Sequence, residues 1–424
     1  MDHLTTAEII AVGSELLGWT RLDTNSLLVT EQLAALGIEV KAKSVVGDDR
    51  ARLRTVFIQA LERSDVVVLT GGLGPTDDDL TREVVAEALG LPLAEDERIT
   101  SWIRQRFARR SLEMPQVNRR QAMVPSGATV LPNAHGTAPG LAIIAGRRVV
   151  ILLPGPPREL KPMLQALCER EGLLGSRAGR ERLHKVTLFT TQRSESHVEE
   201  IAQPIYSQWR DHTPPIETTI LATPGQIELH LTLRSANAVA ASETLAAARD
   251  QLVEALGDSV FSTDGRTLPH VVGDWLRERG LTLAAAESCT GGMFLQRLTD
   301  LPGSSDYVVG GVVAYSNAVK TEMLAVDAGI IETHGAVSEP VAAAMAEGVH
   351  GRTRAHVCVA ITGVAGPGGG TPAKPVGTVV IAVLVTGKPL LVRTYLFPGG
   401  RDQVRFQSTQ AALDLVRRQL RARS

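Results

Sequence analysis

Short apolar runs alternate with helix-length segments through the first third of the chain, and this alternation restricts the fold more than any other feature. Glu8 to Val12, Ile38 to Val46 and Val66 to Thr70 read as strands, with helices over Thr24 to Leu36 and Arg50 to Arg63 between them. A βαβαβ rhythm calls for a doubly wound, mainly parallel α/β sheet, because a crossover helix returns each new strand parallel to the last. Ligands are then expected at the carboxyl ends of the strands. The pattern continues through Arg147 to Leu153, which ends in Pro154-Gly155-Pro156-Pro157 before a helix from Arg158.

At 424 residues the chain exceeds what one core supports, so roughly two or three domains are expected. A charged, glycine-containing stretch, Glu169 to Arg182, reads as a linker. After it come strand (Val186 to Thr190), helix (Glu195 to Gln208), two strands (Ile216 to Thr223, Gln226 to Leu233) and helix (Val239 to Leu256), a small α+β unit that reads as a spacer or dimerising module. From Leu268 strand and helix alternate again. The predicted domains are 1–170, 183–262 and 266–424.

Composition narrows the function classes. Hydrophobic residues at 44%, charged residues at 21% and a net charge of -2 describe a soluble globular protein without a dedicated nucleic-acid surface. The arginine runs at 104–110 and 417–423 have helical spacing and read as solvated faces, and no aromatic interleaving supports RNA binding. Cys168, Cys289 and Cys358 are too few and too scattered for a disulfide framework or a structural zinc site. The start has neither an export signal nor an anchor, and no apolar run reaches membrane-spanning length, so a cytoplasmic protein is expected.

Two loops carry chemistry. After Val66 to Leu69 comes Thr70-Gly71-Gly72-Leu73-Gly74-Pro75-Thr76-Asp77-Asp78-Asp79. Glycines let backbone N–H groups approach an anion, while three carboxylates in the first turn of the next helix either complement its dipole or hold a divalent cation. Asp78 and Asp79 are the candidate ligands; Glu15 is a candidate ligand or base. Gly72 and Thr76 belong to the phosphate-friendly loop, and Asn25, Gln121 and Asn133 are candidates to bind a base or ribose. His135 reads as structural.

In the second half, Ala286-Glu287-Ser288-Cys289-Thr290-Gly291-Gly292 places a small nucleophile where an apolar strand turns into a helix. Downstream, Tyr315 and Lys320 stand about one helical turn apart after another strand. Ser, Tyr and Lys together run acyl-transfer chemistry without His, since a desolvated Lys has its pKa lowered enough to act as the base. Only seven of the 44 basic residues are Lys, and Arg cannot replace one that must lose its proton. Ser288, Cys289 and Thr290 also read as plain helix caps, and Cys289 competes as nucleophile. Backbone N–H groups around Cys289, Thr290 and Gly291 are candidates for an oxyanion site.

The motifs TGGLGPTDDDLT, AVGSELLG with DTNS, NAHGTAPG, LPGPPREL, AESCTGG, AYSNAVK and ITGVAGPGG together resemble the CinA (competence- and damage-inducible) family over nearly the whole chain. The resemblance implies a front domain similar to the MoaB and MogA molybdopterin-binding fold, acting as a metal-dependent ADP-ribose pyrophosphatase. The implied ion is Mg, Mn or Co, with K as a further candidate. It implies a KH-type middle unit, although no GxxG loop appears there, and a rear domain similar to the PncC-type nicotinamide-nucleotide amidase, which deamidates nicotinamide mononucleotide without a cofactor. By resemblance Ser288 is the nucleophile, Lys320 its base and Tyr315 a proton-transfer partner. Ser305, Thr362 and either Arg401 or Arg405 hold the substrate, and Gly363 to Gly370, Gly366 included, forms a wall near its phosphate. A homodimer with no membrane or direct nucleic-acid contact is implied. Two alternatives stay open: an interaction protein for competence or recombination factors, and a molybdopterin or nucleotidyl-transfer enzyme in front.

Overall fold

The computed structural model describes residues 3–169 and 171–421; Arg423 of the C-terminal arginine run lies outside the described residues. By its internal packing the chain divides into two units, 1–184 with 234–241, and 185–233 with 242–424.

In the first unit Val66–Thr70 occupies the middle of a six-stranded sheet because all five of its residues are buried and none needs water. The order is Glu39–Val46, Thr6–Val12, Val66–Thr70, Arg148–Leu153, Gly140–Ala145, Thr129–Leu131. The first four strands are parallel, and the last two pair antiparallel as a meander that sequence patterning did not resolve. Alternate strand residues face opposite sides. Ile9, Val66, Val68 and Ile151 meet helices Asn25–Ala35 and Pro157–Cys168, while Ile10, Val67, Leu69 and Leu152 meet Arg50–Arg63 and Thr81–Ala88. With both faces covered, the strands read as unbroken apolar runs.

The small sheet runs Glu217–Thr223, Gln226–Ser235, Arg182–Thr190, Val260–Ser262, with helices Glu195–Tyr206 and Ala238–Leu256. Its strand Arg182–Thr190 starts four residues earlier than patterning predicts, taking in the end of the supposed linker. The rear sheet runs Val308–Val313, Leu283–Glu287, Val357–Gly363, Thr378–Val385, Leu391–Leu396, the first three parallel and the rest antiparallel.

Helix Arg401–Arg421 fastens the rear sheet to the small one. Arg417 and Asp414 are almost fully buried and joined by two hydrogen bonds of 2.9 and 2.7 Å to Asp414 Oδ1. The Arg417 guanidinium also donates to Asp258 O (2.7 Å) and Val260 O (3.3 Å), and Gln192 and Arg418 donate to Asp414. Asp414→Ala strands a buried guanidinium, so it should destabilise this unit by about 3 kcal/mol. Urea unfolding followed through Trp209 and Trp275 reads that shift.

Candidate active sites

Ser288 directly follows the strand Leu283–Glu287, whose five residues are all buried, and its N–H donates to Ile361 O at 2.9 Å. The turn after it reverses through Gly291 and Gly292, both at positive φ (58° and 96°), a conformation costly for any side-chain-bearing residue. Helix Met293–Thr299 follows. Lys320 comes from helix Asn317–Leu324, which Ser316 caps by accepting the Val319 N–H. Its side chain is buried, and Nζ donates to Ala314 O at 2.8 Å and to Ser288 Oγ at 3.2 Å. Burial lowers the Lys320 pKa from its ordinary 10.5, with nearby Cys289 opposing in part. Cys289 is itself buried, and burial pushes its thiol up to about 12. That removes it as a nucleophile near neutrality.

Several predicted partners sit differently. Tyr315 precedes the helix cap instead of lying on the helix, so it does not share a face with Lys320; it is 60% exposed and its hydroxyl accepts from Arg401 Nη2 at 2.9 Å. Arg401 also donates to Gly366 O at 2.8 Å, joining Tyr315 and the glycine-rich loop into one rim. Arg405 turns to the loop that follows Ser288, donating to Thr290 O at 2.8 Å, and both its Nε and Thr290 Oγ1 are buried without a hydrogen-bond partner. Thr362 is buried at the end of its strand and donates to Ala336 O at 2.8 Å. Ser305 is a correction: it is exposed in the turn before Val308–Val313, whose start pairs with Leu283. Ser288 lies beyond the opposite end of that strand, five residues or roughly 16 Å away. The proposed oxyanion donors narrow as well, because the Gly291 N–H closes onto Ser288 O at 3.1 Å.

Glu287 is the residue that sequence reasoning passed over. Fully buried, it accepts the N–H groups of Gly292 (3.0 Å), Phe294 (3.1 Å) and Leu295 (3.0 Å). A lone acid closing an apolar strand was the available signal.

In the first unit a cavity of about 980 Å³ opens where the parallel strands end. Glu15, Asn25, Gly72, Asp78, Asp79, Gln121 and His135 all line it, from separate loops. Asn25 Nδ2 donates to Gly155 O at 2.6 Å, which leaves Asn25 Oδ1 buried and unpartnered. Gly72 has φ +64°, and a Cβ there would run into Thr81 Oγ1. Thr76 and Asn133 do not line the cavity. Thr76 bonds Asp79, and buried Asn133 clasps its own loop, donating to Ala138 O and Glu159 Oε2 (both 2.7 Å) and accepting from His135 and Gly136.

The acidic loop also departs from expectation. The helix begins only at Thr81, so Asp77, Asp78 and Asp79 precede its first turn. Asp79 accepts from Gly74 N (2.8 Å), Thr76 N (2.9 Å) and Thr76 Oγ1 (2.5 Å), which spends its carboxylate on the loop. Asp78 is exposed, and among the described residues no three His, Cys, Asp or Glu side chains converge to hold a metal. Glu15, Asp78 and Asp79 therefore do not form a ready-made ion site. Two arginines brace the loop instead. Buried Arg82 donates to Leu73 O (3.0 Å) and Arg120 O (2.9 Å), and burial pulls its pKa down to about 10. Arg120 reaches Thr76 O (2.7 Å), Asp77 (2.9 Å) and Glu83 (2.8 Å).

Comparison with known proteins fits both halves. Residues 8–171 match the family described as "Probable molybdopterin binding domain", and residues 265–420 match "CinA C-terminal domain". Over 422 residues the chain is 46% identical to a CinA-like protein of Koribacter versatilis, covering 98% of this chain and 99% of that one. The chain belongs to the CinA family. A CinA-like protein of Solibacter usitatus is 42% identical over 414 residues, covering 98% of each. The crystal structure of competence/damage inducible protein CihA from Agrobacterium tumefaciens is 38% identical, covers 37% of this chain and 94% of that one, and has a TM-score of 0.36. As in the sequence reading, no helix among the described residues is long and apolar enough to cross a membrane.

The site makes one direct prediction about reactivity. Native protein at pH 7.5 treated with iodoacetamide should leave Cys289 unmodified, because its thiol stays protonated far above that pH. Peptide mass spectrometry checks this, and unfolding in urea should restore labelling.

Proposed function

We propose that this CinA-family chain is a bifunctional hydrolase of pyridine-nucleotide salvage. The rear site deamidates nicotinamide mononucleotide to nicotinate mononucleotide and ammonia, and the front cleft cleaves ADP-ribose to AMP and ribose 5-phosphate. The observation that carries the first activity is the 3.2 Å approach of Lys320 Nζ to Ser288 Oγ, with the amine buried. Burial favours the neutral amine, which accepts the Ser288 proton through the same contact.

In this reading Ser288 Oγ adds to the carboxamide carbon as its proton passes to Lys320. The tetrahedral adduct collapses with loss of ammonia, which takes that proton. Water then adds to the ester and yields its own proton to the amine; breaking the ester bond frees the acid and restores Ser288. The N–H groups of Cys289 and Thr290 are the oxyanion donors, since those of Ser288, Gly291 and Gly292 are already bonded within the protein. Arg401, on the rim with Tyr315 and Gly366, is the group for the 5′-phosphate. Thr290, Thr362 and Arg405 shape the wall behind the nucleophile.

For the front cleft, its volume, the glycine loops at strand ends and the orphaned Asn25 Oδ1 favour a nucleotide with hydrogen-bond donors on its base or ribose. Gln121 is a second polar contact. A divalent ion is part of this reading, with Asp78 and Glu15, which both line the cavity, as the carboxylates that would hold it and the ion supplying charge to the pyrophosphate when bound. The molybdopterin match favours a second reading of this cleft, a pterin site, and a substrate panel separates the two. A homodimer is part of the proposal by family likeness, as is the cytoplasm.

Ser288→Ala and Lys320→Ala should each lower ammonia release from nicotinamide mononucleotide by about a thousandfold or more. Lys320→Arg should be as inactive, because Arg cannot shed its proton. Retained turnover in any of the three rejects the assignment. Activity should rise with pH as Lys320 deprotonates, and the midpoint of that limb should fall below 10.5 because the pKa is lowered. In the front cleft, AMP release from ADP-ribose, measured by chromatography, should stop with chelator and fall in Asp78→Ala. Undiminished turnover in chelator contradicts the metal-dependent reading.

A further inference from the structure

A carboxylate with no exposed surface is costly unless its charge is met, and the three partners of Glu287 are all backbone N–H groups. Oε2 takes those of Gly292 and Phe294, and Oε1 takes that of Leu295. These are the N–H groups at the start of helix Met293–Thr299, which no turn of helix precedes and which would otherwise be unsatisfied. Gly292, the capping residue, makes no side-chain cap of its own. Glu287 therefore caps the helix from the far side of the turn, spanning Ser288 to Gly291. One end of that span is fixed by the sheet, where Glu287 pairs with Val313 and Ile361. The other end is fixed by the carboxylate.

We propose that Glu287 is the positioning residue of the nucleophile turn: its carboxylate clamps the Ser288–Gly292 loop so that Ser288 Oγ stays within reach of Lys320 Nζ. The proposal rests on the reading of Ser288 as nucleophile. The hydrogen bonds of the Glu287 carboxylate go to backbone N–H groups and not to Ser288 Oγ, so it acts through the backbone on either side. Charge matters as well as shape, because an ionised carboxylate offers acceptors on both oxygens, whereas a glutamine presents an NH₂ to one of the N–H groups.

Full-length Glu287→Gln should lower kcat for nicotinamide mononucleotide by about tenfold or more while KM stays within about threefold, since only the geometry of attack is disturbed. Glu287→Asp keeps the charge on a shorter arm and should recover part of the loss. Labelling of Ser288 by phenylmethylsulfonyl fluoride, followed by mass spectrometry, should slow in parallel. That reagent needs no nucleotide: if wild-type chain labels at Ser288 but releases no ammonia, the substrate reading fails while the positioning role is still measured. Glu287→Gln retaining wild-type kcat and labelling rate overturns the proposal, as does a rise in KM matching the fall in kcat. Hydrogen exchange on the wild-type chain covers the case in which the variants do not fold. The amides of Gly292, Phe294 and Leu295 should exchange slowly, and rapid exchange there overturns the clamp.

Discussion

An amine held out of water beside a hydroxyl is the interaction on which the rear half of this protein depends. Lys320 is buried to 1% exposure, and its hydrogen bonds go to a carbonyl and to Ser288 Oγ, so neither partner repays the cost of a full positive charge. The sheet makes this possible. Leu283–Glu287 and Val308–Val313 are parallel neighbours, so the loops that follow them, one with Ser288 and one leading to Lys320, emerge side by side at the same end. Everything else at the site is arranged around that pair.

The front cleft is organised on a different principle. Its polar groups come from several separate loops and a 3-10 helix, but much of their bonding capacity goes to holding those loops. Asn133 grips its own turn and Glu159; Asp79 grips Gly74 and Thr76; Arg82 and Arg120 grip the carbonyls of the acidic loop. What stays open toward the cavity is a smaller set, with Asn25 Oδ1 the clearest case of a buried polar atom lacking a partner. Loops braced in this way present backbone and a few side chains at fixed places, which suits recognition of a small polar ligand.

The sequence disclosed the parts of the fold that follow from local periodicity. Arg50–Arg63 and Val66–Thr70 begin and end where the pattern puts them, and the apolar run before Ser288 is the strand it resembles. Ser288 and Lys320 were legible because each follows an apolar strand in a segment whose composition is otherwise small and apolar. Contacts set by tertiary packing were not legible. Tyr315 reads as a helix neighbour of Lys320 until the cap at Ser316 is seen, and Ser305 reads as a site residue until the strand direction places it at the other end of the sheet. The run of three aspartates looks like a metal site in one dimension, yet Asp79 turns back onto its own loop. Glu287 hid for the opposite reason: as the last residue of an apolar strand it has no motif, and its worth lies in three N–H groups five to eight residues away.

Helix Arg401–Arg421 has a mechanical consequence. Its first turns carry Arg401 against Gly366 and Arg405 against the loop after Ser288, and its last turns carry Asp414 and Arg417, with Arg417 bonded to the carbonyls of Asp258 and Val260. From Arg401 to Arg417 is about 24 Å of continuous helix at 1.5 Å per residue. One unbroken helix therefore fixes the spacing between the two arginines at its start and the buried ion pair near its end.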